Sequence, residues 1–198
     1  MAYETILIER DARGVARLVL NRADRHNAMN ATMITEINAA ASELAADDAV
    51  RVVVLTGAGE SFCAGGDLEW MQGRITADAA THAADAGQLA AALGALNALP
   101  KPVIGRIQGQ AFGGGIGLVS VCDVAVGVQD ARLGLTETRL GLIPATIGPF
   151  VLARMGAARA RRVFMSARLF DADEAVTLGL LARAVPAEAL DAAVEAEV

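Results

Sequence analysis

The stretch Gly109-Gln110-Ala111-Phe112-Gly113-Gly114-Gly115-Ile116-Gly117-Leu118 decides how the chain folds, because three consecutive glycines interrupt an otherwise apolar passage. Glycine loses more backbone freedom on folding than any other residue, so such a run marks a close approach to the main chain or a corner with unusual dihedrals. Before it, Pro102-Val103-Ile104-Gly105-Arg106-Ile107 is a run of strand type; after it, Ile116 to Cys122 continues as a buried helix. A strand, a glycine turn and a helix N-terminus together aim free N–H groups at negative charge. The glycines alone leave a binding corner and a packing corner both open.

A second corner lies upstream. Arg51-Val52-Val53-Val54-Leu55-Thr56 is β-branched and bounded by Gly57-Ala58-Gly59, which reads as a buried strand in a sheet covered on both faces. A nucleotide fingerprint fails there, because Phe62 stands where the third glycine belongs and no Gly-Lys-Ser/Thr follows. Ser61-Phe62-Cys63-Ala64-Gly65-Gly66-Asp67-Leu68-Glu69-Trp70-Met71 is instead a small-residue turn running into a helix, with Asp67 as its cap. Trp70 and Met71 read as core or pocket wall. Either both corners only pack, or each donates one backbone N–H to the same oxygen.

Toward the N-terminus, Tyr3 to Glu9 and Val15 to Leu20 alternate about Arg13-Gly14 and form a hairpin. The polar segment Asn21 to Asn30 follows, and Asn30 caps a helix whose apolar residues Met33, Ile34, Ile37, Ala41 and Leu44 recur at helical spacing. His26 has no ligand-spaced partner and reads as a solvated loop residue. Ala77 to Leu99 is a helix ended by Pro100, with His82 on its solvated face.

Toward the C-terminus, Asp123 to Val128 and Arg132 to Leu135 are short strands. Glu137 then sits in an otherwise apolar segment, Thr136 to Pro144. Burying a carboxylate is costly and raises its pKa toward the range useful for proton transfer, whereas an ion pair with Arg139 or Arg132 would make it structural. Phe150 to Met155 and Ala157 to Ser166 are helical, the latter with Arg159, Arg161 and Arg162 exposed. Asp171 caps a short helix through Leu178, Leu181 to Val185 is a small strand, and a last helix starts near Ala187. Two strands per helix favour an α/β fold of stacked ββα units over a simple βαβ sheet.

Composition sets limits on function. The 198 residues suit one domain, and at 54% hydrophobic but only 4% aromatic content the core is built from Ala, Val, Leu and Ile. A net charge of −6 without any basic block argues against a non-specific nucleic-acid groove. Cys63 and Cys122 lack metal-like spacing, and no apolar stretch reaches the roughly 18 residues of a membrane span. No basic-then-apolar leader opens the chain, so the cytoplasm is the expected compartment.

The motifs Arg25-His26-Asn27-Ala28-Met29, Phe62-Cys63-Ala64-Gly65-Gly66-Asp67-Leu68, Ala111-Phe112-Gly113-Gly114-Gly115, Cys122-Asp123 and Glu137-Thr138-Arg139-Leu140-Gly141-Leu142-Ile143-Pro144 resemble the crotonase (enoyl-CoA hydratase/isomerase) superfamily over essentially the whole chain. The resemblance implies a ββα superhelix flanked by helices, and an oxyanion hole made by the N–H groups of Gly66 and Gly114 around an acyl-CoA thioester oxygen. Two such fixed donors stabilise an enolate, each commonly by roughly 2.7 to 4 kcal/mol. It also implies that Arg25 to Ala28 and Ala64 to Leu68 grip CoA, which is part of the substrate, so no separate cofactor or metal is expected. Gly65 and Gly117 join the implied substrate contacts, and Glu137 matches the second catalytic glutamate.

Two departures accompany the resemblance. The family's first glutamate position is Gly117 here, so ordinary crotonyl-type hydration is not the expectation. The pattern around Gly117 looks most like bacterial methylglutaconyl-CoA and isohexenylglutaconyl-CoA hydratases of leucine and acyclic-terpene breakdown. That implies hydration of a branched, carboxylated enoyl-CoA with Glu137 as general acid/base, and Arg139 or another arginine is a candidate partner for the distal carboxylate. A one-carboxylate isomerase and a non-catalytic acyl-CoA binder are the alternatives. Family members usually continue with further helices that build a trimer or hexamer, so residues 1–198 read as one core domain without its C-terminal helical region.

Overall fold

The computed structural model describes residues 3–198, and β-branched and leucine-rich segments make its central layer. Strand β1 (Ile6–Arg10) turns back antiparallel onto β2 (Val15–Leu20), with Ile6 opposite Leu20. Thereafter the sheet is parallel: β2 beside β3 (Val52–Gly57), β3 beside β4 (Val103–Ile107), β4 beside β6 (Val124–Val128) and β6 beside β9 (Arg183–Val185). Every residue of β3 is buried, as a parallel strand covered on both faces requires. A second small sheet joins β5 (Ala111–Phe112) to β7 (Arg132–Gly134) and β7 to β8 (Leu169–Asp171).

The crossovers carry the helices. Asn30 caps α1 (Ala31–Ala46) by accepting from the Met33 N–H, and Met33, Ile34, Ile37, Ala41 and Leu44 are buried beneath it as their spacing predicts. Asp67 caps the short α2 (Leu68–Arg74), and Asp78 caps α3 (Ala79–Asn97), which packs on α1. Helix α4 (Gly114–Ser120) begins two residues earlier than the apolar pattern suggests, because the second and third glycines of the triplet already have helical geometry. Helix α5 (Gly148–Met155) is followed by α6 (Ala157–Ala160), α7 (Ala172–Thr177) and α8 (Leu190–Glu195).

Three expectations change. The helix expected from Ala157 to Ser166 stops at Ala160, where Arg162 and Val163 donate to carbonyls three residues back and the chain tightens into turns. Ala167 then takes a left-handed φ of 48° and leads into β8, a strand with no local alternation to announce it. The last helix is preceded by a 3-10 turn from Ala187 to Ala189. No helix among the described residues is long and apolar enough to cross a membrane.

Candidate functional site

The two glycine corners meet. An isolated parallel bridge joins Cys63 to Ala111, and Phe112 donates its N–H to the Cys63 carbonyl at 3.0 Å, so the two turns leave the core side by side. Gly65 (φ +93°) and Gly113 (φ +48°) both occupy the left-handed half of backbone space, where an L side chain is strained. A side chain on Gly65 would place its Cβ 2.8 Å from the Phe112 carbonyl oxygen and 3.6 Å from the Gly114 nitrogen.

That geometry leaves two donors free. Gly114 is the first residue of α4, so its N–H has no partner within the helix. Gly66 lies between two backbone bonds of the neighbouring bridge, Met29 N–H to Gly65 O (2.7 Å) and Asp67 N–H to Met29 O (2.9 Å), which use the groups on either side of it. Neither Gly66 N–H nor Gly114 N–H has an acceptor among the described residues.

The cleft over these corners has a volume of about 790 Å³ and takes its wall from four stretches of chain together with Ile34, Leu89 and Leu169. Arg25, Ala28, Ala64, Gly65, Gly66, Asp67, Leu68 and Gly114 all line it, as do Trp70, Met71 and Glu137. Gly117 does not. Its Cα faces the core, where an added Cβ would lie 2.7 Å from Ile147 and 3.3 Å from Leu93, so the contact with substrate expected for this residue is replaced by packing behind the cleft wall. Gly117→Glu is therefore expected to cost stability, roughly 1 to 3 kcal/mol from overpacking alone, without raising turnover. Urea unfolding and an enoyl-thioester assay on the same preparation check both halves.

Glu137 opens a 3-10 turn (Glu137–Leu140) that ends at Gly141 in a left-handed conformation. Its Oε1 is 3.3 Å from where a Cβ on Gly113 would stand, which puts the carboxyl beside the glycine corner. Its Oε2 is buried without a hydrogen-bond partner among the described residues. Burial pushes its pKa up, and a bond from its own backbone offsets only part of that. Among the described residues no arginine pairs with it, so the ion pair to Arg132 or Arg139 does not form. Arg139 itself is exposed on the cleft wall.

Asp67 holds the opposite charge balance. Burial alone would raise its pKa, but the Trp70 N–H, the Arg22 guanidinium and the Glu69 N–H together bring it below the usual carboxylate range. Its Oδ1 accepts from Glu69 and Trp70, and its Oδ2 meets Arg22 Nη1 at 2.8 Å.

Other side chains have structural duties that the sequence alone did not show. Asn27 (φ +55°) is fully buried, accepts from Arg22 N–H, and donates to the carbonyls of Ala58 and Ser61. Its place in a polar segment gave no sign of this, since its partners lie some thirty residues on. His26 is exposed at the cleft, with Nδ1 2.9 Å from Ser61 Oγ. Cys63 and Cys122 are free and fully buried, and desolvation pushes both thiols up to about 12, which leaves them unreactive at neutral pH.

The profile of the enoyl-CoA hydratase/isomerase family matches residues 10–196. The chain belongs to that family. A probable enoyl-CoA hydratase of Mycobacterium bovis is 38% identical over 191 residues, covering 96% of this chain and 72% of the relative. The crotonyl-CoA hydratase of Syntrophomonas wolfei is 35% identical over 192 residues, again with 96% and 72% covered. Among solved structures, AtuE of Pseudomonas aeruginosa superposes with a TM-score of 0.94 at 39% identity, covering 98% of this chain and 75% of that one. An enoyl-CoA hydratase/isomerase of Legionella pneumophila gives a TM-score of 0.94 at 36% identity, over 99% and 75%. The mixed α/β architecture is thus the crotonase fold, and this family member is an enzyme of the hydratase type.

Proposed function

We propose that the chain adds water across the α,β-double bond of a branched, carboxylated enoyl-CoA of the methylglutaconyl type. The observation that carries this is Glu137, a desolvated and unpaired carboxyl beside two backbone donors that lack acceptors. In the proposed reaction Gly66 and Gly114 hold the thioester oxygen, and the Glu137 carboxylate takes a proton as water oxygen bonds to the β-carbon. The electron pair of the double bond moves onto the held oxygen as an enolate. Glu137, now an acid, returns the proton to the α-carbon as the enolate collapses. One water is consumed, nothing is oxidised or reduced, and the carboxylate is regenerated, so no cofactor beyond the CoA of the substrate is called for.

Support for a carboxylated acyl group comes from Arg139, a cation on the wall of a largely apolar cleft. If it meets the distal carboxylate, Arg139→Ala raises KM for 3-methylglutaconyl-CoA roughly tenfold, as loss of a charge-assisted bond implies, and leaves crotonyl-CoA unaffected. An unchanged KM would remove the arginine from substrate recognition.

The deciding test follows enoyl-thioester absorbance with 3-methylglutaconyl-CoA, beside crotonyl-CoA, in ¹⁸O-labelled water. Faster loss with the carboxylated substrate and one labelled oxygen in the product are expected. With Gly117 packed into the core, Glu137 stands at the corner without a second glutamate from that position, which also suits double-bond migration through the same enolate. An isomerised product without label would establish that second reaction instead.

A further inference from the structure

The Gly66 N–H owes its position to a clamp built from Arg22. This guanidinium lies outside the cleft lining, with only 17% of its side chain exposed. Its Nη1 donates to the Ala28 carbonyl at 2.6 Å and meets the Asp67 carboxylate at 2.8 Å. Those two partners flank the bridge of Met29 to Gly66, so a single nitrogen ties one end of each paired segment. The Met29 side chain, itself fully buried, completes the link: its Cε stands 2.2 Å from where a Cβ on Gly114 would be. Arg22 thus reaches the first free donor through Ala28, Asp67 and the bridge, and the second through the methionine those segments hold. It lines no part of the cleft itself.

We propose that Arg22 is a positioning residue, which fixes the Gly66 N–H at the distance from Gly114 N–H that a thioester oxygen requires. This rests on the oxyanion assignment made above. Donors act in catalysis only when held within about 0.5 Å of the productive geometry, and misplacement by about 1 Å can cost 10²-fold in rate. A part-buried cationic nitrogen shared between a carbonyl and a carboxylate suits that task, because removing it takes away the Asp67 ion pair and leaves the two segments held by their backbone bridge alone.

The test uses the full chain with Arg22→Met, Arg22→Lys and Asp67→Asn. Asp67→Asn keeps an oxygen to cap α2 but removes the charge that faces Arg22. Steady-state kinetics are read beside the infrared stretch of a bound saturated acyl-CoA carrying ¹³C at the thioester carbonyl, a readout that reports donor geometry and that loss of stability alone does not move. Arg22→Met and Asp67→Asn are expected to lower kcat about 10- to 100-fold with KM within about threefold. The carbonyl stretch should move back toward its solution frequency, and Arg22→Lys should recover part of both losses. A fall in kcat with an unmoved stretch, or a rise in KM alone, would overturn the proposal. A carbonyl stretch unshifted in the unsubstituted protein would instead overturn the oxyanion assignment beneath it.

Discussion

Glu137→Gln is expected to lower kcat by about 10²- to 10⁴-fold while acyl-CoA binding is retained, because a proton-transfer group is lost and the shape of the cleft is not. Isothermal titration with a saturated acyl-CoA and turnover on the enoyl-CoA separate the two effects. The unsubstituted enzyme needs this carboxylate ionised at the start of the cycle. Since burial raises its pKa, the acid limb of kcat/KM should lie above the ordinary glutamate range of about 4.3. Stability should run the opposite way. Above the raised folded value the group is charged in both folded and unfolded chains, and the cost of burying that charge opposes folding. Below the ordinary unfolded value it is neutral in both, and the cost is gone. Glu137→Gln should therefore raise the urea midpoint at pH 7, by an amount that shrinks as pH falls through the folded pKa. A substitution that harms catalysis and helps folding marks a site residue; equal damage to both would make Glu137 structural.

Gly65→Ala is the second large effect. The new methyl would stand 2.8 Å from the Phe112 carbonyl oxygen, a backbone atom of the opposite corner that cannot rotate away. It would also impose a φ of +93° on an L residue, a conformation that costs roughly 1–2 kcal/mol even where there is room. The only relief is for the corners to part, which moves the Gly66 and Gly114 donors off a common oxygen. A loss of about 10²- to 10³-fold in kcat is expected, accompanied by a lower melting temperature. Gly73→Ala is the matching control: it lies in α2 with nothing within 4 Å of the added methyl, and should keep full activity. Single-turnover rates and thermal unfolding of the two variants decide the point.

Much of this architecture can be read from residue order because its signals are local. Asn30, Asp67 and Asp171 cap helices with their own side chains, so each boundary is announced within three residues. The strand around Val54 declares itself by β-branching, and a glycine triplet and a glycine pair declare the two corners. What is not legible depends on partners far along the chain. Asn27 is one residue of a polar segment, and nothing marks it as buried until Ala58 and Ser61 arrive beside it. Arg22 looks like any surface arginine until the bridge to Gly66 encloses it. Strand β8 exists only because β7 offers it an edge, and its three residues carry no pattern of their own. Gly117 was legible as a departure from the family motif, yet only the positions of Ile147 and Leu93 show that core fills the space.

The cleft wall runs from Asp24 to Leu169. Its parts are brought together by parallel pairings of distant segments, such as Val15 with Val52 and Val53 with Val103. No short fragment can therefore carry a partial site, and a chain leaving the ribosome has no competent cleft until its last wall segment has emerged and docked. Ligand binding is therefore linked to unfolding of the whole molecule. An acyl-CoA present at a hundredfold its Kd adds about 2.7 kcal/mol to the unfolding free energy of the entire molecule. Substrate supply thereby shifts the folding equilibrium of its own enzyme by mass action.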